Sequence, residues 1–114
     1  MKLSDQRREY GFDNLSRASL RDSPFAQFSV WMDAALAANI QDPTAMTLTT
    51  VNGDAIPWSR IVLLKGFDDN GFRFYTHLDS RKGKDIAANP HVTLHFAWLA
   101  MDRQVIVGGT AAIL

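Results

Sequence analysis

A chain of 114 residues is one domain by length, and its twelve basic and twelve acidic side chains cancel, which argues against the phosphate-neutralising surface of a general nucleic-acid binder. Hydrophobic residues make up 46 % and charged residues 21 %, the balance of a globular protein with a small core. Cysteine is absent, which removes disulfides, thiolate metal sites and thiol nucleophiles, and no run approaches the ~18 apolar residues of a membrane span.

Residues 1–22 are polar and rich in Arg, Ser and Asp, and read as a mobile amino-terminal arm. They lack the apolar stretch of a signal peptide, so a cytoplasmic protein is expected. Ser23-Pro24 supplies an N-cap and a proline at the first helical position. Phe25, Phe28, Met32, Ala35 and Leu36 then recur at helical spacing, which predicts a helix over 24–39 packed on a sheet, with Trp31 at the edge of its apolar stripe.

From Ala45 onward the pattern is that of strands. Met46 to Val51 is rich in β-branched residues, Asn52-Gly53 is a tight-turn signal because both residues tolerate positive φ, and Ala55 to Lys65 reads as the return strand. Pro57 near its start cannot donate to a ladder and marks a sheet edge or a bulge. Asp68 to Gly71 reads as a turn and Phe72 to Thr76 as a third strand. Ser80 is placed to cap a short helix over Arg81 to Ala88, ended by Asn89-Pro90. His91 to Trp98 reads as a fourth strand, and Arg103 begins a fifth that can run past Gly108-Gly109 to Leu114. The fold class expected is mainly β with flanking helices: an antiparallel sheet of about five strands curling towards a barrel. A sheet ending on its last strand exposes an unpaired edge, which predicts an incomplete barrel, whether a fragment, a truncated product or part of an assembly.

Four cations stand out. Arg60 and Lys65 flank the apolar run Ile61, Val62, Leu63 and Leu64, and Arg81 and Lys82 open the short helix. Strand alternation sends Arg60, Val62 and Leu64 to one face and Ile61, Leu63 and Lys65 to the other, so the pair serves either two ligand groups or simply two solvated strand ends. Cations in a first helical turn oppose the helix dipole, and an anion bound between them accounts for the pattern; two exposed surface residues are the plain alternative. Arg grips phosphate with two parallel hydrogen bonds and Lys acts as a point charge. Tyr75 and Thr76 offer hydroxyls at a strand end, and Gln104 offers both a donor and an acceptor; by local pattern each also reads as a core or surface residue. His91 and His95 are about 13 Å apart on a strand, and with His77 they form no metal-ligand pattern. Nucleotide-binding glycine loops and a serine-hydrolase elbow are also missing.

Taken in order, Arg7-Arg-Glu-Tyr10, Asp42-Pro-Thr-Ala-Met46, Arg60-Ile-Val-Leu-Leu-Lys65, Tyr75-Thr76, Ser80-Arg-Lys82, Asn89-Pro90 and Arg103-Gln-Val105 resemble the amino-terminal half of the pyridoxamine 5'-phosphate oxidase family. The resemblance implies a split β-barrel, with residues 1–22 as its arm and 23–114 as a partial flavin mononucleotide (FMN)-binding domain. It implies a homodimer with FMN at the subunit interface, and oxidation of pyridoxamine or pyridoxine 5'-phosphate to pyridoxal 5'-phosphate, oxygen reoxidising the flavin. By the same resemblance Arg60, Ile61, Val62, Leu63, Leu64, Lys65, Tyr75, Thr76, Arg81, Lys82 and Gln104 contact FMN. Arg7, Arg8, Glu9 and Tyr10 close over the substrate, whose phosphate Lys65 also meets. Two departures are expected to matter. His77 stands where the family usually has Asn, and the family's later substrate-binding part, with an Arg and a His near the carboxyl end, is not in this sequence. Low or no activity is therefore expected of the chain alone, the alternative being a non-catalytic module that binds FMN or another phosphate ester.

Overall fold

The computed structural model describes residues 2–9, 11 and 15–114. Helix α1 spans Pro24–Ala37 and begins as the sequence dictates, with the Ser23 hydroxyl accepting a hydrogen bond from the Ala26 N–H at 3.0 Å. It stops two residues short of the expected end because Asn39 turns left-handed, at φ 55°. Phe28, Met32 and Ala35 form its buried stripe, while Leu36, expected within it, is exposed.

Strands β1 (Ala45–Val51), β2 (Pro57–Leu63), β5 (His91–Trp98) and β6 (Arg103–Thr110) form an antiparallel sheet in the order β2-β1-β5-β6. The Asn52 loop is wider than a two-residue turn. The Asn52 side chain accepts from the N–H groups of Asp54 and Ile56, and the positive φ falls on Ala55 rather than on Asn52 or Gly53. Pro57 begins β2, which is the edge strand its presence implies.

The expected third strand is shorter and lies elsewhere. β4 (Gly71–Arg73) pairs only with β3 (Gly66–Asp68), as a hairpin outside the main sheet, so the structure has six strands in two sheets among the described residues. Asp68 shapes this hairpin's turn, accepting from the Asn70 N–H at 2.8 Å and from Arg73 at 3.0 Å. Those two bonds, the backbone one first, hold its carboxyl below the usual carboxylate range. Helix α2 spans Arg81–Ala88 and packs against β1. β6 ends at Thr110 and not at Leu114; beyond it the Ala111 N–H bonds the Pro90 carbonyl.

One face of the sheet carries the core. Met46, Leu48, Val62, Leu94, Phe96 and Trp98 are buried there against α1 and the β3–β4 hairpin. Phe28 is the centre of this layer, with ring centroids 4.9 Å from Phe67, 5.0 Å from Phe72 and Phe96 and 5.7 Å from Trp98. Among the described residues nothing covers the opposite face: Ile61 is 65 % exposed, Leu63 46 % and Ile106 67 %.

Candidate functional site

Edge strand β2 positions the site. One side of it pairs with β1, and the other carries no strand, so alternate main-chain N–H and C=O groups face outward. Its core face presents Trp58, Arg60 and Val62, and α2 lies over the first two. Arg60 donates to the Thr50 hydroxyl at 2.7 Å, approaches the Leu48 carbonyl at 3.4 Å, and stands 3.7 Å from the Asp85 carboxylate. Thr50 in turn donates to Asp85 at 3.0 Å, closing a triangle beneath α2 in which Thr50 and Asp85 are buried. One helical turn earlier, the Arg81 guanidinium lies 4.3 Å from the centroid of the Trp58 ring.

The start of α2 is tightly built. Ser80 accepts from the Gly83 N–H at 3.2 Å, donates to the His77 carbonyl at 2.6 Å, and lies 3.3 Å from the Thr76 hydroxyl. Gly83 sits so close to this loop that a Cβ would fall 2.6 Å from the carbonyl oxygens of His77 and Leu78. The N–H groups of the first turn, other than the one Ser80 caps, are thereby held at a fixed place beside two cations, an arrangement that suits a phosphate.

The residues singled out in the sequence separate into two groups. Arg60 and Arg81 come together on the α2 side, with Lys82 half-buried in the same turn. Val62 and Leu64 are core residues, so only their main chain is available to a ligand. Ile61, Leu63 and Gln104 belong to the open sheet face. Lys65 is exposed beyond the end of β2, its N–H bonded to Arg73, and strand alternation sends its side chain to that open side as well. A single pocket containing all four cations is therefore not what the structure builds. The Gln104 amide oxygen accepts from the His95 ring at 2.7 Å, beside a shallow depression of about 240 Å³ lined by Thr47, Ile61, His95 and Ala97. Tyr75 is 79 % exposed and Thr76 half-buried at the loop.

Of the arm, Arg8 reaches the turn between β5 and β6. It donates to Asp102 at 2.7 Å and to the Leu99 carbonyl, and the Gly11 N–H also bonds Asp102, at 2.9 Å. Arg7 and Glu9 are exposed, and Tyr10 lies outside the described residues. Sequence reasoning missed Trp58, Thr50, Asp85, His95 and Asp102 as supporting groups. The signal available for two of them was parity: Trp58 shares a strand face with Arg60, and Asp85 a helix face with Arg81. Among the described residues no cluster of three or more His, Asp or Glu is placed to hold a metal ion, and no helix is long and apolar enough to cross a membrane.

These features define a class: an antiparallel-sheet protein with an exposed strand edge and a cationic helix start suited to a phosphate ester. The sequence profile of pyridoxamine 5'-phosphate oxidase matches residues 32–114, and the chain belongs to that family. It is 52 % identical over 115 residues to the pyridoxine/pyridoxamine 5'-phosphate oxidase of Idiomarina loihiensis, covering 100 % of this chain and 54 % of the relative. It is 54 % identical over 112 residues to that of Hahella chejuensis, covering 97 % and 53 %. The chain thus spans about half the length of these curated relatives. Among solved structures it is similar to PhzG from Burkholderia lata 383, in complex with tetrahydrophenazine-1-carboxylic acid, with a TM-score of 0.83 and 27 % identity over 90 % of this chain and 52 % of that one. An FMN-binding, pyridoxamine 5'-phosphate oxidase-related protein from Nostoc punctiforme shares the fold, at TM-score 0.67 and 18 % identity over 80 % of this chain and 47 % of that one. The expected antiparallel, split-barrel-like fold is what these neighbours share with the chain.

Proposed function

We propose that this chain supplies the FMN-binding part of a pyridoxine/pyridoxamine 5'-phosphate oxidase. The observation that carries the reading is the start of α2 in a member of this family: a capped first turn with Arg81 stacked on Trp58, Lys82 beside it and Arg60 beneath. The donor set fits a flavin nucleotide. Arg81, Lys82 and the first-turn N–H groups would take the phosphate, with Thr76 and Tyr75 beside the chain that links it to the ring. The outward main-chain groups of Arg60 to Leu64 and the amide of Gln104 would meet the polar ring edges, and Ile61 and Leu63 its apolar surface.

When bound at this site, a flavin would supply the hydride-accepting, oxygen-linked redox chemistry of the oxidation. This chain's residues bind and orient. Lys65 would meet the substrate phosphate, and Arg7, Arg8, Glu9 and Tyr10 would close over the substrate as part of an arm spanning residues 1–22, with 23–114 as the partial barrel domain. The Arg8–Asp102 ion pair then represents one docked position of that arm. The exposed apolar face of Ile61, Leu63 and Ile106 supports assembly as a homodimer, and a cytoplasmic location is part of the same proposal.

The 114 residues alone are expected to bind FMN and to turn over pyridoxamine 5'-phosphate poorly, since substrate misplacement by ~1 Å can cost about 100-fold. The test is oxygen-dependent formation of pyridoxal 5'-phosphate, measured with these residues alone and with the chain extended by the remaining half of a close relative. Activity restored by the extension supports the proposal. Bound FMN with no pyridoxal 5'-phosphate from either form supports the non-catalytic alternative.

A further inference from the structure

On β2, Trp58 and Arg60 are next neighbours on one face, about 6.6 Å apart along the strand. On α2, Arg81 and Asp85 are one turn apart, about 6 Å along the axis. The contacts Trp58–Arg81 and Arg60–Asp85 run in the same order along the two elements and form two rungs. Thr50 on β1 closes the second rung from below, bonded to both Arg60 and Asp85. The side chains of the charged pair are only 22 % and 10 % exposed, a setting in which removing one charge leaves the other poorly solvated.

The rungs differ in kind. The first, Arg81 over Trp58, uses the flat face of the guanidinium and leaves its in-plane N–H groups available to an oxyanion. The second lies beneath the helix, with Thr50 and Asp85 both buried. A slip of α2 along β2 would take Arg81 off the Trp58 ring and carry the first-turn N–H groups away from the strand edge. Only the buried rung resists that slip with a charge pair.

We propose that Asp85 is a positioning residue for the anion-binding end of α2: acting through Arg60, it sets where Arg81 and the first-turn N–H groups meet the phosphate of a flavin nucleotide. The inference rests on the assignment of that phosphate to the start of α2. It implies a division of labour among the cations. Arg60, held by Thr50 and Asp85, fixes the helix, and Arg81 and Lys82 open its first turn towards the phosphate. It also predicts which ligand feels the loss: FMN does, whereas riboflavin, which has the same ring and no phosphate, does not.

The test is a flavin-fluorescence titration of the purified protein with FMN and with riboflavin, below the unfolding temperature of every variant. Asp85→Asn keeps the shape of the side chain and removes its charge. It is expected to weaken FMN about tenfold, equivalent to about 1.4 kcal/mol, while riboflavin affinity changes less than about twofold. Asp85→Glu, which restores the charge, should recover most of the FMN preference. Equal loss of both flavins would mean a merely structural role and would overturn the inference, as would an unchanged FMN preference in Asp85→Asn. Should Asp85→Asn not fold, Thr50→Val removes the hydroxyl that joins the pair without removing a charge, and the same change in preference is required of it. Arg81→Ala separates the two levels. If it leaves the preference for FMN intact, the phosphate does not lie at α2 and the underlying reading fails. If it abolishes the preference and Asp85→Asn does not, only the role of Asp85 fails.

Discussion

Replacing Phe28 with alanine is expected to cost more stability than any other single truncation in α1. The side chain is 4 % exposed and contacts four rings from two parts of the fold: Phe67 and Phe72 of the β3–β4 hairpin, and Phe96 and Trp98 of β5. Truncating a buried Phe costs about 3–5 kcal/mol, the lost transfer energy plus the cavity left among neighbours that cannot close over it. Against the roughly 5–15 kcal/mol of a whole domain, that is a large share. Phe28→Leu, which keeps most of the volume, should cost about 1–2 kcal/mol. Urea unfolding followed by tryptophan fluorescence reads both, since Trp98 lies in the same cluster. A second effect is local. Phe28 touches both hairpin rings, with Phe25 and Phe96 also meeting Phe72, so the Lys65 N–H, bonded to the Arg73 carbonyl, should exchange faster in Phe28→Ala even where the sheet stays protected. A loss below about 1 kcal/mol, with Lys65 exchange unchanged, would refute the view that Phe28 ties the hairpin to the sheet.

Two further outcomes are expected. Asp102→Ala removes the acceptor for Arg8 and for the Gly11 N–H, so proteolysis at Arg7 and Arg8 should quicken; unchanged cleavage would show that Asp102 does not hold the arm. The Asp68 carboxyl titrates below its unfolded value of about 3.9, so the folded chain binds fewer protons there. Its stabilising contribution is complete above that value and is lost as pH falls through the folded pKa. NMR titration should place Asp68 below the ordinary aspartate value, and Asp68→Asn should soften the acid limb of the stability profile; a midpoint at the ordinary value would contradict the hydrogen-bonding account.

Much of this was legible where the signal is local. Ser23-Pro24 and Ser80 mark helix starts because capping is decided within three residues, and β1 and β5 show in their own β-branched and alternating patterns. The Asn52 loop misled because the Asn52 side chain itself satisfies two N–H groups, which lengthens the turn and moves the positive φ to Ala55. The separate β3–β4 hairpin was hidden because its placement depends on Phe28, some 40 residues earlier, and not on its own sequence. The cationic residues of the site were visible as types, but their grouping was not. Arg60 and Asp85 are 25 positions apart, and only the packing of α2 over the sheet brings Asp85 to Arg60 and Arg81 to the Trp58 ring.

The central claim is that the start of α2 receives the phosphate of a flavin nucleotide, and the most direct measurement is a crystal structure of the protein grown with FMN. The account predicts phosphate oxygens within hydrogen-bonding distance of the Arg81 guanidinium and the first-turn N–H groups, with Arg81 still on Trp58 and Arg60 still beside Asp85. A flavin whose phosphate lies elsewhere, with Arg81 facing solvent, would contradict it.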